Sequence, residues 1–134
     1  MPSKHVIAFY IHHNNTCPVE DYLFDGKNET DFEMLLGVMQ YLAQVGNAIF
    51  ETKMAKKFYD HDPICELRKS RHRIFFAKDK ELNRYVMIAA FIKKTQETPP
   101  EELAQAEKYW TEYTKSKKAK EFDIPLDYDL ANLL

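Results

Sequence analysis

The residues best equipped for chemistry are cations in the middle third of the chain. Arg68 and Arg73 lie close together, Lys93 and Lys94 follow as a pair, and Lys53, Lys56 and Lys57 come shortly before. RNA cleavage without a metal needs a base for the 2′-OH proton, cations for charge building on the phosphorus oxygens, and an acid for the departing 5′-oxygen. Lysine can serve as base or acid when like charges crowd it and burial shifts its pKa, whereas arginine is confined to electrostatic roles. Arg68 and Arg73 are therefore candidate phosphate clamps, with Arg71 a further cation for RNA. Type and spacing alone leave open the reading in which these cations form a solvated face. Glu66 is a candidate general base, although orienting Arg68 is the better reading of an acid in that place.

Charge is distributed unevenly. Residues 53–94 hold twelve Lys/Arg against five carboxylates, while 1–52 hold two against seven and 95–134 hold five against nine. The net charge of −2 thus conceals a basic middle flanked by acidic ends. Phe75, Phe76, Tyr85 and Phe91 could stack a base, but core packing suits most of them. Tyr85 and His72, near strand starts and flanked by arginine, are the better candidates for exposed RNA contacts. Cys17 and Cys65 make no disulfide framework and no zinc spacing, so both read as buried thiols. His12 and His13 are adjacent, and neighbours on a strand point to opposite faces, which makes them a poor chelating pair. No metal and no cofactor are expected.

These side chains need a scaffold. The length of 134 residues with 45% hydrophobic content suits one core. Residues 5–11 read as a strand ended by the polar turn HHNNT, and Pro18 suits the start of a short helix before a loop at DGKNET. From Thr30 or Asp31, Phe32, Leu35, Leu36, Met39, Leu42 and Ala43 recur at helical spacing, and Gly46 closes an amphipathic helix of about four turns. Residues 47–63 fit neither period and read as a short helical piece and a loop ended by Pro63. Strand-like runs follow at 64–69, 72–79 and 84–94, with connections short enough for an antiparallel meander. The third run, apolar over 86–92, reads as a central strand covered on both faces.

Thr98 and Glu101 form a capping-box pattern with Pro99 at the first helical position. The helix it opens buries Leu103, Ala106, Tyr109 or Trp110, and Tyr113, then dissolves into the lysine run 115–120. The last fourteen residues mix acids and large apolar groups around Pro125. They read as an extended tail that covers the basic groove or docks to a partner. No stretch approaches the roughly 18 apolar residues of a membrane span, the N-terminus lacks signal-peptide features, and no basic amphipathic helix suggests a membrane surface. A cytoplasmic location is expected.

The string ICELRKSRHRIFF resembles the pattern x-x-E-L-R followed by R-I-x-F of the RelE toxin superfamily, in its phage-derived, HigB-like branch. AAFIKKTQETPPEELAQAEKYW is similar to that family's final strand and closing helix, and PVEDYL to its first helix. The resemblance spans about residues 5–114, the toxin domain being 1–114 and the lysine run and tail 115–134. It implies an α+β, RelE-like fold: a small antiparallel sheet packed against two N-terminal helices and a C-terminal helix. It further implies a metal-independent endoribonuclease that cleaves mRNA, often at the ribosome, and a helix-turn-helix antitoxin that neutralises it. Carried over, Arg68 and Arg73 match the arginines that contact the scissile phosphate, and Lys57 falls where relatives place a lysine base. Lys93 and Lys94 fall where relatives place an aromatic or histidine acid, and Ala90 replaces a family histidine. The alternative is a RelE-fold module that binds RNA or protein and has lost catalysis.

Overall fold

Branched and aromatic side chains at 6–10, 72–79 and 84–92 take strand backbone, and the helix-spaced apolar residues at 32–45 take helix. The computed structural model describes residues 5–122. In chain order the elements are β1 (Val6–Tyr10), α1 (Pro18–Leu23), α2 (Phe32–Val45), β2 (Ala55–Lys57), β3 (Cys65–Lys69), β4 (His72–Asp79), β5 (Arg84–Ile92), α3 (Pro100–Ser116) and β6 (Ala119–Glu121). The chain is α+β, with one six-stranded sheet in the order β2-β3-β4-β5-β1-β6.

Strands β3, β4 and β5 form the expected antiparallel meander, but the sheet is mixed. β1 runs parallel to β5, with Val6 opposite Arg84, and β6 runs antiparallel to β1. An all-antiparallel sheet is therefore corrected. β1 suits its place beside the central strand because both its faces are apolar, Ile7 and Phe9 on one and Ala8 and Tyr10 on the other.

Strand alternation divides the core in two. Ile7, Phe9, Leu67, Ile74, Phe76, Tyr85 and Met87 pack under α1 and α2 with Leu35, Met39 and Leu42. Phe75, Ala77, Ile88 and Phe91 pack with Leu103 and Ala106 of α3, and Tyr10 and Val86 with Tyr113. The sheet thus has α1 and α2 on one face and α3 on the other, and β5 is covered on both.

Helix boundaries follow local chemistry. Pro18 begins α1, and Gly46 ends α2 at φ 59°. A Cβ at Gly46 would lie 2.5 Å from the His5 ring, so glycine is needed there for space as well as for backbone. At α3 the capping box does not form: Pro99 is the N-cap, Pro100 is the first helical residue, and no side chain caps the helix. The Thr98 hydroxyl instead donates to Glu66 Oε2 at 3.0 Å, a buried carboxylate being the stronger claimant.

Two further expectations are revised. Residues 47–63 contain a strand, β2, whose three residues are too few for a periodic signal; it forms by pairing with β3, Lys56 opposite Glu66. The lysine run does not simply dissolve: α3 ends at Ser116, Lys117 turns at φ 54°, and β6 follows. Phe122 then stacks on Phe9 with ring centroids 4.8 Å apart. The rest of the proposed tail, from Asp123 onward, lies outside the described residues. Among the described residues no helix is long and apolar enough to cross a membrane.

Candidate functional site

Arg68 and Arg73 are direct cross-strand partners, brought together by the tight turn at Ser70 and Arg71. Ser70 takes φ 55° to make that turn. Glu66, on the same face of β3, is 0% exposed. Its Oε1 accepts from Arg68 Nε at 3.0 Å and lies 3.7 Å from Arg73 Nε, while Oε2 accepts from Thr98. Arg73 Nη1 donates to the carbonyls of Ser70 and His72 at 2.8 and 2.9 Å. Glu66 thus holds Arg68 by a hydrogen bond and faces Arg73 at ion-pair distance, and the guanidiniums converge on one face.

Lys93 joins them because of an irregularity in β5. Phe75 pairs with Ala89 but Phe76 pairs with Met87, so Ile88 is an extra residue. A bulge of this kind shifts the parity of everything beyond it. Phe91 consequently faces α3, and Lys93 rather than Lys94 points toward Glu66 and the arginines. Desolvation lowers the Lys93 pKa below that of an ordinary lysine, and repulsion by Arg73, Arg68 and Lys56 lowers it further against the pull of Glu66. Burial likewise lowers the Arg73 pKa, opposed by Glu66 and assisted by Arg68. Arginine nevertheless stays charged at any physiological pH.

Two clefts meet at Lys93. One, of about 570 Å³, is lined by Ser70, Arg71, Arg73, Lys93, Lys94, Thr95 and Gln96. The other, of about 500 Å³, includes Lys56, Tyr59, His61, Arg68, Lys93 and Thr98 in its walls. Arg71 and Lys94 are exposed at the rim of the first. Lys53 is exposed in the turn before β2 and lines neither cleft.

Other expected members stand elsewhere. Lys57 borders the second cleft, but its ammonium sits 4.8 Å from the Phe50 ring centroid, on the α2 face. Its neighbour Lys56 occupies the α3 face, opposite Glu66. His72 is 4% exposed, with Nδ1 2.6 Å from the Tyr22 hydroxyl and Nε2 2.8 Å from Asp31 Oδ2. Tyr85 is 2% exposed and donates to Asn47 Oδ1 at 2.7 Å. An exposed role for either is corrected: both positions fall on the α2 face, which is core. Ala90 packs on that same face, away from the arginines.

The sequence reading missed His61 and Tyr59. His61 is partly exposed in the second cleft, and its Nδ1 bonds to Glu107 of α3. Tyr59 is almost fully exposed beside it. Only the residue types could have flagged them, since the surrounding segment shows no clean period. Together the two clefts offer two guanidiniums around one buried acid, an amine of lowered pKa, and an imidazole.

A family model described as Phage derived protein Gp49-like (DUF891) matches residues 25–111. No curated protein matches the chain. The matched region is well over half of the 134 residues and takes in Glu66, both arginines, Lys93 and most of α3. The chain belongs to the phage-derived Gp49-like family.

Proposed function

We propose that this protein is a RelE-like toxin of the HigB-like branch, an endoribonuclease that cleaves mRNA at the ribosome and is restrained by a helix-turn-helix antitoxin. The observation that carries the reading is the convergence of Arg68, Arg73 and Lys93 on one face around buried Glu66. A scissile phosphate seated there meets two guanidiniums whose positions are set before it arrives, the arrangement that stabilises charge developing in a transition state. Lys93, as the neutral amine, takes the proton of the 2′-hydroxyl. The 2′-oxygen attacks phosphorus, the bond from phosphorus to the 5′-oxygen breaks, and the departing oxygen receives a proton from the His61 imidazolium. Glu107, bonded to the other side of that ring, holds it in place. Arg71, Lys94 and Lys56 hold the flanking phosphates.

A second reading, a module that binds RNA or protein without cleaving, draws on the engagement of Arg68 with Glu66 and of Arg73 with the carbonyls of Ser70 and His72. Product chemistry separates the two. The purified chain is incubated with translating ribosomes, and new mRNA ends are analysed. Fragments bearing a 2′,3′-cyclic phosphate and a 5′-hydroxyl support the nuclease. Intact mRNA supports the binding module, and 5′-phosphate ends contradict attack by the 2′-oxygen.

A further inference from the structure

We propose that His12, His13 and Glu112 form a binding site for zinc(II), or a similar transition-metal dication, that ties the turn after β1 to the C-terminal half of α3. Donor atoms of the three side chains all lie within 4.8 Å of one another. Two imidazoles and a carboxylate are a donor set that zinc takes readily, leaving a fourth position for water. Bonds of about 2.1 Å put tetrahedral donors about 3.4 Å apart, so the most distant pair must close by at most about 1.4 Å. His13 is exposed and free to rotate inward.

The objection that adjacent histidines face apart does not hold here. β1 stops at Tyr10, and the chain turns at once: the His12 amide donates to the Thr16 carbonyl at 2.8 Å, and Asn15 adopts φ 68°. The two rings consequently lie side by side, with centroids 3.9 Å apart. Outer support is already in place. The Tyr10 hydroxyl, 1% exposed as a residue, donates to Glu112 Oε2 at 2.6 Å, and that oxygen lies 2.9 Å from His12 Nδ1. A carboxylate fixed by a buried phenol is the kind of outer contact that orients metal ligands.

The site is separate from the arginines. Glu112 lies twelve residues beyond Pro100, about 18 Å along α3, whereas Thr98 at the other end of that helix contacts Glu66. The inference therefore stands whether or not the chain cleaves RNA.

Calorimetric titration of the full chain with zinc chloride, paired with thermal melts, tests it. One equivalent should bind in the low micromolar range or tighter and raise Tm. His13→Ala, at an exposed position, should leave the metal-free Tm unchanged and weaken binding at least about tenfold, with Glu112→Gln doing likewise. Cobalt(II) should give a spectrum without a thiolate charge-transfer band. Absence of binding, affinity indifferent to His13→Ala, affinity lost instead with His61→Ala, or a thiolate band pointing to Cys17 or Cys65 would each overturn the proposal.

Discussion

Glu66 has no exposed surface, yet it faces two guanidiniums, so its charge is what permits Arg73 to be half-sequestered beside Arg68. Glu66→Gln should cost about 3 kcal/mol in urea unfolding, at the low end for breaking a buried pair because Arg68 still reaches solvent. The same substitution removes the one attraction that opposes Lys93 deprotonation. Lys93 predicts a pH dependence: it must act as the neutral amine while the acid keeps its proton, so kcat/KM should be bell-shaped, with one limb set by Lys93 below the 10.5 of an ordinary lysine. Lys93→Arg should abolish that limb while keeping the charge. The arginine pair was legible in the sequence because a tight turn between two strand runs fixes its register. His72, Tyr85 and Lys57 were not, since which face a strand residue takes depends on pairing partners that sequence spacing does not reveal.

Among the elements, the bulge at Ile88 is the feature that spacing could least disclose. The uniformly apolar run 86–92 carries no parity of its own, so the choice of Lys93 over Lys94 depends on one unpaired residue. Lys94→Ala should accordingly lower RNA affinity a fewfold and leave the pH profile unchanged, whereas Lys93→Ala removes the limb. The far end of the meander is held by a second buried network. The Tyr113 hydroxyl donates to Asp79 Oδ2 and accepts from Arg84 Nε and Nη2, and Lys117 Nζ lies 3.2 Å from the same aspartate oxygen. Burial pushes the Asp79 carboxyl up, but hydrogen bonds from Tyr113, the Leu82 amide and Lys117 outweigh it, and the folded pKa falls below 3.8. A carboxyl lowered on folding contributes stability that is complete above the unfolded pKa and is lost as pH falls through the folded one. Tyr113→Phe should therefore cost about 2 kcal/mol at neutral pH, measured by urea unfolding, and move the acid unfolding transition upward. The helices and four of the six strands were legible because they carry period or apolar length. β2 and β6, three residues each, exist only through their partners.

Over the whole molecule, a net charge of −2 hides a basic patch that the fold gathers at one end of the meander. If about four phosphates are neutralised there, the scissile one by Arg68 and Arg73 and the flanking ones by Arg71, Lys94 and Lys56, the affinity of a cleavage-deficient variant for single-stranded RNA should fall with salt at a log–log slope of about −3. A slope near zero would deny the patch any electrostatic role. The uneven charge was readable from the sequence, but its concentration around a single buried acid was not, because that depends on the three-way meeting of β3, β4 and the residues after β5. The most direct measurement is mRNA cleavage on translating ribosomes by wild type and by Arg73→Ala, with folding of both checked by thermal melting. The wild type should generate new mRNA ends, and a folded Arg73→Ala should cleave at least about a hundredfold more slowly, the scale of losing one preorganised donor. Equal rates from the two proteins, or no new ends from the wild type, would contradict the account.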